Sequence, residues 1–458
     1  MGDEGLQSSR KRFSERWKSH TLWLVLAFLS LFVWHFWHGV TGDHWERPPL
    51  PTGDGPDYES LAYSLSRGDG FQFAWQSEEW QQPYRADRDA NHYTQLQRID
   101  WPGPTASRPP AYPFLISLIY QVVPRGPAAF ATVRFVSIFF TALSGALAVG
   151  IGWELAQRMT RVSWIPPTAA LMAFLLAILD RTVRTYSVDF LTEPMAMFLC
   201  SCICACGLRW QRSATPVRWF AMMVLATAAL VLTRSITIFW LPGLAILVAM
   251  SATKNRWRWT TIYLLLVIVL LSPWWIRNMT VMQCMMPLGG QGAASLRGGY
   301  CDEALADFGN WHGDAEERLQ RSLDADPDAA GWTQAQREVA LAQRASQETW
   351  QWIRENQGEI PRLMGMRMVS HWSPFSGTSL MWRLAILVGW LMVLMRQRRE
   401  AIWILGLPLI STVTVAFLYE TGGRFLVPLY PMLYMTAGLG IAVFADRMIA
   451  RYVAWNRK

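Results

Sequence analysis

The loop after the first apolar stretch opens with Thr52-Gly53-Asp54-Gly55-Pro56-Asp57-Tyr58 and closes with Ser107-Arg108-Pro109-Pro110-Ala111-Tyr112-Pro113. A basic N-terminus and the apolar stretch 21–39 precede this loop, and the chain becomes apolar again after it. Runs of about 20 apolar residues are long enough to cross a bilayer. The loop therefore places a carboxylate, Asp54, just beyond one membrane span and an arginine, Arg108, at its far end. This arrangement suits chemistry on an anionic lipid at the bilayer surface.

The composition identifies the class of protein. Of the 458 residues, 52% are apolar and 17% are charged, whereas a soluble protein carries about 25% charged residues. The net charge of +8 would suggest a nucleic-acid partner in a soluble protein. Here the positions of lysine and arginine explain it better, because basic loops stay on the cytoplasmic side of a membrane. The composition thus predicts a membrane protein and no nucleic-acid partner.

The distribution of basic residues predicts the topology. Basic clusters follow every second apolar span and also occupy the N-terminus, so both termini are predicted to be cytoplasmic. All basic clusters fall on the same side only if the apolar stretch 111–123 does not cross the membrane. This stretch is therefore predicted to form an interfacial or re-entrant helix. Allowing for a missed or split span, the sequence predicts an all-α polytopic fold with about 10–13 transmembrane helices. The predicted spans are 21–39, 130–155, 163–179, 188–208, 217–233, 236–252, 260–276, 381–395, 401–418 and 426–445.

Three segments follow from this topology. Residues 1–276 form a transmembrane catalytic module that includes the first outer loop, 40–110. Residues 277–380 form a large outer loop with a helical stretch near 333–356, and residues 381–458 form the C-terminal transmembrane helices. A short helix is also predicted at 58–65 in the first outer loop. The first span runs into His35-Phe36-Trp37-His38 without a small-residue cleavage site, so it is predicted to be an anchor rather than a cleaved signal.

The six cysteines fall into two groups. Cys200, Cys202, Cys204 and Cys206 alternate within one apolar helix and split between its opposite faces, which suits packing and excludes a shared metal ion. Cys284 and Cys301 flank a glycine-rich stretch of the large outer loop, in a compartment where oxidation is favoured. They are predicted to form a disulfide.

Several charged residues lie at the outer ends of spans, although most basic residues of this chain are predicted to lie on the cytoplasmic side. They are Arg181, Arg184, Glu193, Arg234, Arg277 and Arg424. Ionisable groups at such depth are costly and face a cavity or a partner. One interpretation is internal pairing, of Arg184 with Asp189 and of Arg424 with Glu420. The other is an anionic ligand, because arginines outnumber the nearby carboxylates and guanidinium groups match phosphate oxygens.

Asp54 is the strongest candidate for a catalytic base, because it lies in a turn close enough to the membrane to be partly desolvated. The alternative is a helix-capping role, which Asp57 fits better. His92 and His371 are predicted to be ordinary surface histidines. The Asp-x-Asp patterns at 87–89 and 324–326 are interpreted as chance matches, and no metal site is predicted.

The motifs resemble, in order along the chain, those of the GT-C superfamily of membrane glycosyltransferases, and in particular the lipid A aminoarabinose transferase and protein O-mannosyltransferase families. Two departures occur. Asp54 is followed by Gly55 where the family has a second acidic residue, and Arg108 stands where the family has lysine. The matching segments are Gly53-Asp54-x-x-x-Tyr58, Arg108-Pro109-Pro110-x-Tyr112-Pro113, Leu191-Thr192-Glu193-Pro194, Leu232-Thr233-Arg234, Pro273-Trp274-Trp275-Ile276-Arg277-Asn278 and Arg424-Phe425-x-x-Pro428-x-x-Pro431.

The resemblance implies an inverting glycosyltransferase that moves a sugar from a polyprenyl-phosphate donor to a hydroxyl of a glycan, lipid or protein acceptor. The reaction would occur on the periplasmic face of a bacterial inner membrane. The absence of a glycine-rich nucleotide loop from the sequence agrees with a lipid-linked donor. No cofactor is required by the motifs, although some relatives use a divalent metal ion. A transporter or flippase of an anionic polyprenyl lipid or glycolipid is the alternative, since it would need the same arginines but no base.

The resemblance also implies roles for individual residues. Asp54 would accept the acceptor proton. Arg108 is the first candidate to stabilise the departing lipid phosphate. Arg424, Arg234 and Arg277 are the next candidates for this role. Tyr58 and Glu193 would position donor and acceptor, and the missing second acidic role would fall to Asp57 or Glu193.

Overall fold

The computed structural model describes residues 3–51, 53–97, 101, 103–160, 162–287, 289–373 and 377–455. Within these ranges the chain is α-helical, with short 3-10 turns and no β-strand. The part up to the large outer loop contains α1 (Asp3–Val40), α2 (Gly55–Arg67), α3 (Glu78–Arg85), α4 (Ala111–Val122), α5 (Pro127–Met159), α6 (Ile165–Leu179), α7 (Arg181–Ser187), α8 (Glu193–Trp210), α9 (Pro216–Thr233), α10 (Leu241–Ser251) and α11 (Arg256–Met282). The remainder contains α12 (Gln291–Gly299), α13 (Asp302–Ala306), α14 (Asp314–Asp324), α15 (Gln334–Glu355), α16 (Ile360–Trp372), α17 (Gly377–Arg396), α18 (Arg398–Phe417) and α19 (Tyr430–Trp455).

Seven helical segments in the described ranges are long and apolar enough to cross a membrane, and the protein is an integral, multi-pass, all-α membrane protein. A bent pair, α6 and α7 with a 60° angle, raises the number to eight if it counts as one span. The count is below the ten predicted spans, because 236–252 is a shorter apolar helix and the polar ends of α8 lower its mean hydropathy. The seven segments are Thr21–Val40, Pro127–Met159, Pro216–Thr233, Arg256–Met282, Ser379–Arg396, Arg398–Phe417 and Arg424–Tyr452.

The apolar stretch 111–123 forms α4, which has 12 residues. A helix of that length spans about 18 Å and is too short for a hydrocarbon core of about 30 Å. Its buried side chains, Tyr112, Ile116 and Tyr120, pack with residues of α2, while Phe114 and Val122 are exposed. The helix therefore has one face against the protein and one apolar outer face, as the predicted interfacial position requires.

The large outer loop folds into helices α12 to α16, and the helix predicted at 333–356 is confirmed as α15. Its buried face carries Ala345 and Trp352, whereas Trp350 is exposed. The helix begins with a capping box, in which the Thr333 side chain accepts from the Gln336 backbone N–H and the Gln336 side chain accepts from the Thr333 N–H. These bonds satisfy backbone donors that the first helical turn cannot pair.

We expect Thr333→Ala to lower the free energy of unfolding by about 1 kcal/mol, the usual cost of a lost N-cap side chain. Chemical unfolding of the purified protein in detergent measures the change. Gln347→Ala, on the exposed face of the same helix, is the matched control and should leave the unfolding midpoint unchanged. Equal midpoints for the two variants would contradict the role of the cap.

The predicted disulfide between Cys284 and Cys301 is not formed in the structure, where both cysteines are free. Cys284 packs beside Met282 and Met286, whereas Cys301 is buried with Ala304 and Ala315. The shared loop position was therefore misleading, because the intervening helix α12 carries the two cysteines into different clusters. The four cysteines of α8 are packing residues, and all of them except Cys202 are buried.

Candidate active site

The end of the first outer loop is held by the second one. The Thr105 hydroxyl and the Ala106 N–H both donate to the Glu338 carboxylate of α15, the latter at 2.9 Å. The Ala106 carbonyl accepts from Gly290 N–H at 3.0 Å. Gly289 has φ +77°, and a Cβ at this position would collide with the Ala106 carbonyl, so only glycine allows this approach. The segment that carries Arg108 is thereby fixed against the large outer loop.

The helix predicted at 58–65 is confirmed as α2, and Asp54 occupies its N-cap position. The Asp54 side chain makes no capping hydrogen bond, so its carboxylate remains available to other groups. Pro56 stands in the first turn, where proline costs no helical hydrogen bond. Asp57 does not cap the helix either, because it lies within the first turn and accepts from Arg108. The capping interpretation is therefore wrong for both aspartates.

Arg108 connects three groups around the start of α2. Its Nη1 lies 2.8 Å from Asp54 Oδ1 and donates to Gln291 Oε1 at 2.6 Å, while its Nη2 lies 2.6 Å from Asp57 Oδ2. The guanidinium carbon also lies 5.5 Å from the centre of the Tyr58 ring. Arg108 thus joins both aspartates of the first motif to the second outer loop.

Arg424 approaches Asp54 from the other side. Its Nη2 lies 3.1 Å from Asp54 Oδ2, and its Nε lies 2.5 Å from Glu193 Oε1. Glu193 is fully buried at the start of α8 and also lies 2.8 Å from Nη1 of Arg234. The alternative interpretation, a pairing of Arg424 with Glu420, is wrong, since Glu420 pairs with His371 instead.

These arginines determine the protonation of the loop carboxylate. Burial would raise the pKa of Asp54, but the positive charges of Arg108 and Arg424 outweigh burial and lower it to about 2. Burial and the nearby Asp54 charge raise the pKa of Tyr58 to about 12. Asp54 is therefore ionised and Tyr58 neutral at physiological pH.

A cavity of about 140 Å³ lies at the centre of this network. Three arginines and one aspartate face it, so its charge favours an anion. Gln291, Trp311 and Tyr419 were not predicted, because they come from segments without a motif. The cavity is lined by Asp54, Tyr58, Arg108, Pro109, Thr192, Arg234, Ser235, Ile236, Gln291, Ser295, Trp311, Tyr419, Thr421, Arg424 and Phe425.

Arg277 is not among the residues that line this cavity. Its Nη1 donates to the Thr105 carbonyl at 2.6 Å and its Nη2 to the Phe71 carbonyl at 3.3 Å. The guanidinium also stacks on Trp274, 5.0 Å from the ring centre. Arg277 therefore holds the first outer loop, and its contact with a substrate stays a prediction.

The surface assignment is wrong for His371, which is fully buried with Nδ1 2.5 Å from Glu420 Oε2. The Glu420 Oε1 accepts from the backbone N–H groups of Thr421 and Gly423, so the pair supports the turn before Arg424. His92 is exposed as predicted.

The acidic side chains around the cavity are engaged by arginines. No cluster of three or more His, Cys, Asp or Glu side chains that could hold a metal ion occurs in the described part of the chain. Asp54, Asp57 and Glu193 each face an arginine, and this does not fit a divalent cation. The Asp-x-Asp segments form ion pairs as well: Asp87 pairs with Arg47, and Asp324 pairs with Arg337.

Comparisons with known proteins gave matches only among solved structures, since no family model and no curated protein matches the chain. The chain is similar to the archaeal oligosaccharyltransferase AglB from Archaeoglobus fulgidus, in complex with an inhibitory peptide and a dolichol-phosphate, with 12% identity and a TM-score of 0.49. That match covers 97% of this chain but only 52% of AglB, so the chain spans about half the length of that protein.

A second similar structure is ArnT from Cupriavidus metallidurans, solved bound to undecaprenyl phosphate and in the apo state. The identity is 14%, the TM-scores are 0.39 and 0.36, and 93% of this chain and 78% of ArnT are covered. Both proteins belong to the GT-C superfamily, which the sequence motifs resemble.

Proposed function

We propose that the protein is an inverting glycosyltransferase that moves a sugar from a polyprenyl-phosphate donor to an acceptor hydroxyl. The observation that carries the proposal is the ionised Asp54 held between Arg108 and Arg424 in a cavity that three arginines and one aspartate line. A phosphate needs cations, and transfer to a hydroxyl needs a base. The cavity offers both within one ion-paired network.

The donor phosphate would compete with Asp54 for the same arginines. Guanidinium groups bind phosphate oxygens in a bidentate way, so Arg108 and Arg424 would turn part of their hydrogen bonds toward the donor. The phosphate would also add negative charge beside Asp54. Both changes raise the pKa of Asp54 from its low value in the free protein, and a carboxylate with a higher pKa is a better base. Donor binding would thereby activate the base.

In the chemical step, Asp54 acts on the acceptor, whereas Arg108 and Arg424 act on the leaving group. The acceptor hydroxyl oxygen forms a bond to the anomeric carbon and gives its proton to Asp54. The bond between that carbon and the phosphate oxygen breaks, and its electron pair stays on the phosphate. Arg108 and Arg424 stabilise the charge that grows on this leaving group. Attack opposite the leaving group inverts the anomeric centre, and the transition state has oxocarbenium character.

The remaining residues have supporting roles in this proposal. Glu193, with Arg234, holds Arg424 in position for the phosphate. Asp57 holds Arg108, and neutral Tyr58 lines the cavity beside Asp54. We place the site on the periplasmic side of a bacterial inner membrane with both termini cytoplasmic, since the basic clusters at 10–18 and 447–458 then face the cytoplasm.

A transfer assay tests the proposal. The full chain in nanodiscs is supplied with synthetic polyprenyl-phosphate sugars and envelope extracts as acceptors, and release of polyprenyl phosphate is followed by mass spectrometry. We expect acceptor-dependent release, with an inverted linkage in the product by NMR. Translocation of the donor lipid in liposomes without any release would show a flippase instead and overturn the proposal.

A further inference from the structure

A second cavity, of about 330 Å³, lies beside the first one. Arg108 and Gln291 line both cavities and are hydrogen-bonded to each other at 2.6 Å. They therefore form the partition between the two. Asp57 lines the second cavity, as Asp54 lines the first, so the two aspartates of one helical turn face different chambers.

The two cavities have opposite charge. In the first, guanidinium groups outnumber carboxylates three to one, whereas in the second four carboxylates face two guanidinium groups. The second cavity therefore disfavours an anionic ligand and favours a neutral or cationic one. The two linings therefore favour a group in the second cavity that differs in charge from the donor phosphate.

The lining of the second cavity is chemically specific. Phe73 and Trp75 are stacked with ring centres 3.9 Å apart, and Trp101 adds a third aromatic surface. Three glutamine side chains contribute amide donors and acceptors: Gln291, Gln320 and Gln334. Aromatic surfaces with a few placed polar groups are typical of ligand sites. The C–H faces of a pyranose pack on such rings, while its hydroxyls pair with amides and carboxylates.

Two buried polar atoms add to this description. Trp101 Nε1 and Ser107 Oγ are shielded from solvent and have no hydrogen-bond partner in the described part of the protein. Both residues line the second cavity. Buried polar groups without a partner are costly, and a hydroxyl-rich ligand would supply the missing partners.

We propose that the second cavity binds the acceptor, and that the acceptor is a carbohydrate that is neutral or carries amines. Its reacting hydroxyl passes the partition at Arg108 and Gln291 to meet Asp54, where it loses its proton as it attacks the donor. This inference rests on the proposed function, because it uses the first cavity as the donor phosphate site. It narrows the acceptor from glycan, lipid or protein to a glycan.

Binding to a glycan array tests the inference without turnover. The full chain in labelled nanodiscs is applied to neutral, amine-bearing and acidic glycans and to serine- and threonine-containing peptides. We expect binding to glycans of the first two groups and, where acidic analogues exist, at least about tenfold weaker binding to these. Trp101→Ala should weaken binding about tenfold, whereas Trp350→Ala, an exposed tryptophan of the large outer loop, should leave it unchanged.

Binding to peptides instead, to acidic glycans preferentially, or to no ligand on the array would overturn the inference. So would glycan binding that Trp101→Ala and Gln320→Ala do not alter in protein with unchanged thermal unfolding. If Trp101→Ala does not fold, Gln320→Ala decides alone. If the protein binds glycans but transfers no sugar from any polyprenyl-phosphate donor, only the proposed function is contradicted. If it transfers sugar but binds no glycan, only this inference is contradicted.

Discussion

Asp54→Asn is expected to lower sugar transfer at least about 100-fold, the lower range of what a positioned general base contributes. The substitution keeps the size of the side chain and replaces one carboxylate oxygen by an amide nitrogen. An amide cannot accept the acceptor proton at physiological pH, so the chemical step loses its base. Turnover with a synthetic polyprenyl-phosphate sugar measures the loss.

Donor binding should survive in the same variant. In the wild-type protein Asp54 is paired with Arg108 and Arg424. In the proposed mechanism it competes with the donor phosphate for these arginines, and removing its charge would relieve that competition. We therefore expect donor affinity to be equal or tighter while turnover is lower. A folding defect would lower both and would not produce this combination. Asp69→Asn replaces a half-exposed aspartate of the same loop and is the matched control. Asp57→Asn should have an intermediate effect, because Asp57 touches Arg108 but not the first cavity.

Transfer by Asp54→Asn above about a tenth of the wild-type rate would contradict the role of Asp54, since a positioned base contributes more than that. A loss of donor affinity together with turnover would point to an electrostatic role in assembling the arginines. Thermal unfolding of both variants, measured in detergent, separates these outcomes from misfolding.

The sequence motifs predicted which charged residues meet at this site. Asp54, Arg108, Glu193, Arg234 and Arg424 are far apart in the chain, and the structure joins them in one ion-paired network. Each is the charged member of a short motif at or near the end of a helix, and such groups need partners in an apolar environment. Motif order and helix ends therefore indicated which residues share the site but not their ion pairs, since the sequence suggested Glu420 as the partner of Arg424 and also included Arg277.

The contributions of the large outer loop could not be predicted in the same way. Gln291 reaches Arg108 only because the loop docks on Ala106 through Gly290 and Glu338, and no periodic pattern encodes such a contact. His371 was misassigned for a related reason. Its burial depends on Glu420, 49 residues away, and a single histidine on a short helix carries no signal of such a partner.

Arg108→Ala is expected to lower turnover about 10²- to 10³-fold, as for the loss of one donor to a developing oxyanion. The charge of the leaving phosphate grows during the reaction, so the loss should fall on turnover more than on donor affinity. Arg67→Ala is the matched control, because Arg67 lies on α2 and is half-exposed, with its partners Asp69 and Glu79 at the surface. It should transfer sugar at the wild-type rate.

Arg108→Lys separates charge from geometry. One ammonium group keeps the positive charge between Asp54 and Asp57, but it lacks the planar fork with which arginine also reaches Gln291. We therefore expect Lys to restore most of the activity lost in the Ala variant, with a residual deficit of about tenfold, since one charge-assisted hydrogen bond contributes about 1.5 kcal/mol at the low end of its range.

A purely structural role for Arg108 predicts a different pattern. The partition with Gln291 would open in both variants, both would unfold at lower temperature, and their turnover would fall together. Equal activity of the Ala and Lys variants would therefore end the phosphate assignment, whereas rescue by Lys at unchanged thermal stability requires that the positive charge itself acts in the reaction.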